Sequence, residues 1–332
     1  MGFPLRLILH LSRYLLAKKL KGEERFPLVL MLEPTHRCNL SCAGCGRIRE
    51  YHDTLSQMLS VEECLASAAE ADAPVVAVTG GEPLLHPAIE EIVAGLIAQG
   101  RFVYLCTNGL LMKESLGKFT PSPYFSFNVH LDGLAETHDR LVGRKGVFAK
   151  AMEAIEAAKR AGFRVCTNTT VYKGTDPGEI SQLLSLLMER GVDGVLLSPG
   201  FSYEAVEEEI FLTREEIHRL FRTILSRANG VRFYNTPPYL EFLKGERELQ
   251  CTPWGNPTRN PQGWKRPCYL LTDDHCRSFR ELMEGTDWER YGVGKDPRCA
   301  NCLVHSGFEA SAVLSMGRPA ELAKAMAWSF AP

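Results

Sequence analysis

The sequence predicts an α/β chain built on a mostly parallel sheet, and three observations carry that prediction. Six short β-rich runs, at residues 28–32, 75–78, 102–106, 124–131, 163–171 and 194–197, are almost continuously apolar, as strands covered on both faces are. Between them, stretches such as 87–99, 147–161 and 177–191 place apolar residues at a helical period. Clusters of polar residues follow several of the runs directly, where parallel α/β sheets bind ligands. The composition agrees: 332 residues, 45% hydrophobic and 23% charged, are enough for one large core or two modest domains. A net charge of −2 lacks the basic footprint of a nucleic-acid partner.

The chain divides into a basic amphipathic segment at 1–24, a core at 25–228 and a C-terminal module at 229–332. In the first, leucines alternate with Arg6, Arg13, Lys18, Lys19 and Lys21, too charged and too short for a span of about 20 apolar residues. Two readings fit equally: a helix lying on a membrane surface, or one packed on the domain's own core. No cleavable signal is recognisable, so a reducing cytoplasm is expected, peripheral to the membrane in the first reading. Eleven cysteines are then metal ligands or redox groups rather than disulfides. Cys64, inside a helical stretch that opens at Ser60, reads as a buried thiol, and Cys276 remains unassigned.

Directly after the first run stands Cys38-Asn39-Leu40-Ser41-Cys42-Ala43-Gly44-Cys45, a C-x3-C-x2-C loop. Three thiolates at this spacing reach three corners of a cubane cluster and leave the fourth iron open. Zinc is the rival metal, with His36 as its fourth ligand. The second run ends Gly80-Gly81-Glu82, two glycines for close approach to a ligand and an acceptor for an ammonium group. The cysteine loop and this motif, in this order, resemble the radical S-adenosylmethionine (radical SAM) superfamily. Gly44 departs from the pattern, since many members carry an aromatic residue there.

The resemblance implies a partial (β/α)6 barrel of the TIM type, a [4Fe-4S] cluster on Cys38, Cys42 and Cys45, and S-adenosyl-L-methionine on the open iron. It also implies cofactor contacts from the strand ends. Gly80, Gly81 and Glu82 are joined there by Thr107 and Asn108. Alternation puts Asn128, His130 and Asp132 on one face, a polar row that suits a polar ligand or a self-satisfied network. Asn168, Thr170 and Ser198 are further candidates.

Proline, tryptophan and arginine cluster in expected loops after residue 229. Cys251, Cys268, Cys299 and Cys302 there resemble the auxiliary-cluster module of some superfamily members, so a second iron–sulfur cluster, a structural zinc or no metal are all open. A closer resemblance spans nearly the whole chain, carried by residues 26–34, 102–108, 251–260 and 287–292: the adenosylhopane synthases of hopanoid biosynthesis. Thr79 and Ser306 depart from it, standing where Pro and Cys are expected.

That likeness implies reductive cleavage of S-adenosylmethionine and addition of the 5′-deoxyadenosyl radical to the terminal alkene of diploptene or a related isoprenoid. A hydrogen atom then quenches the tertiary radical, and a one-electron donor such as a flavodoxin or ferredoxin supplies the electron. Cys106 is the candidate hydrogen donor, and Phe201, Tyr203, Phe233, Tyr234 and Trp254 are candidates to line the lipid's pocket. Two rival functions stand beside this one: a radical enzyme abstracting hydrogen from another lipid or a peptide, and a non-catalytic iron–sulfur or zinc-binding protein.

Overall fold

The computed structural model describes residues 5–207 and 209–316. The ends of the N-terminal segment and C-terminal module, residues 1–4 and 317–332, lie outside the described residues.

The six expected runs form strands β1 (Val29–Leu32), β2 (Val75–Val78), β3 (Phe102–Thr107), β4 (Phe125–His130), β5 (Arg164–Val171) and β6 (Gly194–Pro199). All pair in parallel with their chain neighbours, in the order β6-β5-β4-β3-β2-β1. This order never reverses, which is the arrangement of a barrel and not of a doubly wound sheet. The barrel is partial, because β1 turns its free edge to β7 (Thr258–Asn260) instead of to β6.

Local chemistry fixes the helix starts. Ser60 and Glu63 form a capping box on the helix Val61–Ala71, and Thr213 and Glu216 do the same for Arg214–Arg227. Asp176 caps Pro177–Glu189, with proline in the first turn. These helices and Ile89–Ala98 cover one face of the sheet, where Leu105, Phe127, Val129 and Val165 are fully buried. Cys64 is fully buried in the same core, as a structural thiol would be.

The region after residue 229 departs from the expected loops. Strands β7, β8 (Gly263–Pro267) and β9 (Thr272–Cys276) extend the sheet to nine strands, the last two antiparallel. Cys276 lies buried opposite Trp264 in that hairpin. Helix α1 (Leu5–Leu20) packs Leu7 against Val75 and Phe102 at the amino ends of the strands. Among the described residues no helix is long and apolar enough to cross a membrane.

Candidate active site

The cysteine loop leaves the carboxyl end of β1 and is held by its own chain. Arg49 donates to the carbonyls of Cys42 at 3.0 Å and Cys45 at 2.6 Å, and Ala43 N donates to Leu141 O. Cys38, Cys42 and Cys45 are all free thiols and partly exposed. Burial pushes Cys38 up to about 11 and Cys42 well above its ordinary value, and the neighbouring thiols of the loop add to both rises. Three thiols that oppose one another's ionisation are relieved by a shared cationic cluster. Among the described residues no three His, Cys, Asp or Glu side chains form a cage for a single metal ion. His36 is instead fully buried, 3.6 Å from Glu33 and stacked on Tyr51.

The two glycines of the Gly80-Gly81-Glu82 turn admit the backbone that leads into the cysteine loop: Gly81 N donates to Thr35 O at 3.0 Å and Glu82 N to Arg37 O at 2.7 Å. A Cβ on Gly81 would lie 2.1 Å from Arg37 O, and Gly80, at φ +106°, would place one 2.4 Å from Thr35 O. The Glu82 carboxylate is buried and accepts from Thr107 Oγ1, Asn108 N and Leu84 N. Burial raises its pKa to about 7 despite those bonds, and among the described residues no cation stands against it. A buried carboxylate lacking a countercharge suits a ligand's ammonium group.

The strand-end row is partly self-satisfied. Asp132 Oδ2 meets His130 Nε2 at 2.7 Å and Oδ1 accepts from Thr170 N, while Asp132 N donates to His138 Nδ1. Burial, the largest single effect, lowers His130, but the Asp132 charge and hydrogen bond together outweigh it and leave it raised. Asn108 Nδ2 donates to Asn39 Oδ1, tying β3 to the cysteine loop. Asn168, paired in register with His130, keeps a buried Oδ1 without a hydrogen-bond partner, an open acceptor at the centre of the row. Ser198 is otherwise engaged: its Oγ accepts from His305 N, at the start of the helix His305–Ser315.

One step below this row lies a row that the sequence reading only half identified. Cys106, Asn128 and Cys166 are in register across β3, β4 and β5. Asn128 Nδ2 donates to Cys106 Sγ and its Oδ1 accepts from Cys166 Sγ, both at 3.5 Å. Asn128, expected to touch cofactor, thus holds two thiols. Burial pushes Cys106 up to about 11, with the Asn128 bond pulling down.

Cys106 and Asn128 form the upper wall of a cavity of about 190 Å³ that is otherwise mainly apolar. Leu7 and Leu11 of α1, Met31, Tyr104, Leu196 and Val313 line it, with Glu309 and His305 on one side. Of the five aromatic residues expected to line a lipid pocket, only Tyr234 does so. Phe201 and Tyr203 pack together in a separate cluster, Trp254 packs on Phe26, and Phe233 joins the main core.

The C-terminal cysteines do converge. Cys251, Cys268, Cys299 and Cys302 line one small cavity of about 30 Å³ together with Ser306 and Gly307. All four are raised, first by burial and then, except at Cys268, by one another. Leu271 N donates to Cys268 Sγ at 3.4 Å, a bond that favours thiolate. Between this group and the cysteine loop runs a buried ionic network. Arg47 Nε meets Glu33 Oε1 at 2.8 Å and its Nη1 meets Glu50, while Lys265 meets Glu50 and donates to Tyr269 O. The departing residue Thr79 shares a side-chain hydrogen bond with Tyr269, one that lowers the phenol's pKa.

A family model described as the radical SAM superfamily matches residues 32–187, and a domain of unknown function, DUF3463, matches residues 195–326. A GTP 3′,8-cyclase of Rippkaea orientalis is 26% identical over 258 residues, 70% of this chain and 78% of that protein. An AdoMet-dependent heme synthase of Methanosarcina barkeri is 33% identical over 170 residues, 50% of this chain; this chain spans about half, 48%, of that relative. These names give GTP cyclisation and heme synthesis, not adenosylation of a lipid, so the resemblance to adenosylhopane synthases has no counterpart in them.

Among solved structures, Streptococcus suis SuiB bound to S-adenosylmethionine superposes with a TM-score of 0.61 at 17% identity, covering 76% of this chain and 62% of that one. Native anSMEcpe with bound AdoMet gives 0.62 at 16%, covering 92% and 97%. At such identities the likeness concerns the fold.

Proposed function

The chain belongs to the radical SAM superfamily through residues 32–187, and on that premise we propose that it joins the adenosyl group of S-adenosylmethionine to the terminal alkene of an isoprenoid lipid such as diploptene. Its cofactors are a [4Fe-4S] cluster and S-adenosylmethionine, and it needs a one-electron reductant. In this reading Cys38, Cys42 and Cys45 hold the cluster. Glu82 and Asn168 offer the uncompensated charge and the open acceptor that the cofactor's polar groups require. When bound, the pair supplies one-electron cleavage of a carbon–sulfur bond and hence a 5′-deoxyadenosyl radical.

The observation that carries the reading is the position of Cys106. It stands between the polar strand-end row and the apolar cavity, where a hydrocarbon rising from below meets a nucleoside held above. The mainly apolar wall would hold the alkene with its CH2 end toward the polar row. Addition there forms a carbon–carbon bond and leaves a tertiary carbon radical. Cys106 transfers its S–H hydrogen atom to that carbon, and an electron and a proton from the reductant and solvent restore the thiol. Asn128 N–H bonds the sulfur, and the S–H donates only to Tyr104 O at a long 4.0 Å, a bond weak enough to exchange for the cavity. Cys251, Cys268, Cys299 and Cys302 would hold a second iron–sulfur cluster, with a flavodoxin or ferredoxin as electron donor.

The test is anaerobic incubation of the reconstituted protein with reductant, S-adenosylmethionine and diploptene, followed by mass analysis. An adenosine–lipid adduct is expected. Free 5′-deoxyadenosine with no adduct would overturn the reading in favour of hydrogen abstraction from another substrate.

A further inference from the structure

Helix α1 is apolar on two opposite sides, and among the described residues only one of them is covered. On the inner side Leu7 is 2% exposed and lines the cavity with Leu11, while Tyr14 and Leu15 pack toward Phe26 and Leu28. On the outer side Leu9, Leu16 and Leu20 are 56%, 58% and 79% exposed. With Val293 they are the exposed large hydrophobic residues among the described residues. At about 3.6 residues per turn, positions 9, 16 and 20 fall on a single stripe along the helix.

Charge says what covers that stripe. The helix contains no Asp or Glu. Arg6, Arg13, Lys19 and Lys21 are exposed beside the leucines, whereas Lys18 is turned inward to Glu23 and Asp72. A leucine stripe bordered by cations that have no acidic partner among the described residues matches a surface that is apolar beneath and anionic at its rim.

We infer that the outer face of α1 docks on an anionic lipid surface, with the helix lying in the interface. Its 16 residues are too few to span a bilayer. The same helix is the wall between that surface and the apolar cavity, so docking sets a lipid layer against the cavity's floor. This second step rests on the proposed alkene substrate; the docking itself does not.

Flotation of the full chain with vesicles of phosphatidylcholine alone, or mixed with phosphatidylglycerol, tests the docking without any substrate. The parent is expected to float with the mixed vesicles and to be released by salt. Leu9→Ser, Leu16→Ser and Leu20→Ser together should lower partitioning by about tenfold or more at an unchanged melting temperature. Arg13→Glu with Lys19→Glu should remove the preference for phosphatidylglycerol.

A parent that stays unbound, or a triple serine variant that binds equally, overturns the inference. So does a change from dimer to monomer in the triple variant with vesicle binding intact, which would make the stripe a contact between copies. Adduct assays separate the two proposals. A triple variant active on detergent-dispersed alkene but not on vesicle-embedded alkene supports the cavity link. Loss of adduct in the parent under both conditions overturns the alkene reading and leaves the flotation result standing.

Discussion

Asn128 Nδ2 lies 3.5 Å from Cys106 Sγ, and the amide's orientation is set from the other side by Cys166. The bond stabilises thiolate over thiol, so Asn128→Ala should raise the pKa of Cys106 further above its value of about 11. The pH dependence of Cys106 alkylation in protein lacking substrate measures this directly. Cys106→Ala should leave cofactor cleavage intact while the reduced adduct falls by at least about tenfold. Full yields of reduced product from that variant would remove the assignment.

Arg47 is 3% exposed and neutralises the fully buried Glu33. Removing one partner leaves an uncompensated charge, so Arg47→Met should cost about 3–5 kcal/mol in denaturant unfolding. Coupling it with Glu33→Leu should recover most of the loss.

The Gly81 contact is between two backbones and has no flexible side chain to yield. Gly81→Ala should therefore displace the cysteine loop, at a cost of about 1–3 kcal/mol. Iron content after reconstitution should fall with it, whereas Gly100→Ala, where a Cβ meets nothing within 4 Å, should keep its iron.

Glu309 faces the cavity and accepts from Asn235 and Thr236. Burial raises its pKa to about 7 from an ordinary 4.5, those bonds opposing the rise. The folded chain then holds this proton more tightly than the unfolded one. The stability it adds is complete below about pH 4.5 and is lost as pH climbs to about 7. Glu309→Gln should flatten that decline, by no more than about 3 kcal/mol, in unfolding curves measured across the interval.

Cys302→Ser should halve the iron bound per chain if both cysteine groups carry clusters of equal size. It should leave the loop cluster's share in place. An unchanged iron content would confine the metal to Cys38, Cys42 and Cys45.

What the sequence made legible were features written in contiguous residues. Strands β1, β2, β3 and β6 are mostly apolar runs, β4 alternates apolar with polar residues, and the cysteine loop and the glycine turn declare themselves by spacing. Strands β7 and β9 did not, because Thr-Arg-Asn and Thr-Asp-Asp-His-Cys carry no apolar alternation, and the first three residues of β9 are exposed. The cavity was equally hidden, since its walls come from α1, five of the six parallel strands and the helix His305–Ser315. Cys166 is set beside Asn128 by register between β4 and β5, which no local pattern of residues announces. For Gly81, spacing reveals that the backbone must be bare but not that Arg37 O is the neighbour beside it.

The row of Cys106, Asn128 and Cys166 has a kinetic consequence. It lies between a polar mouth at the carboxyl ends of the strands and an apolar floor under α1, so in the proposed reaction nucleoside and hydrocarbon would enter by separate doors. Neither would then need to leave before the other arrives. Turnover on such a plan follows random-order kinetics, with the finished conjugate, part nucleoside and part lipid, alone in having to choose a door.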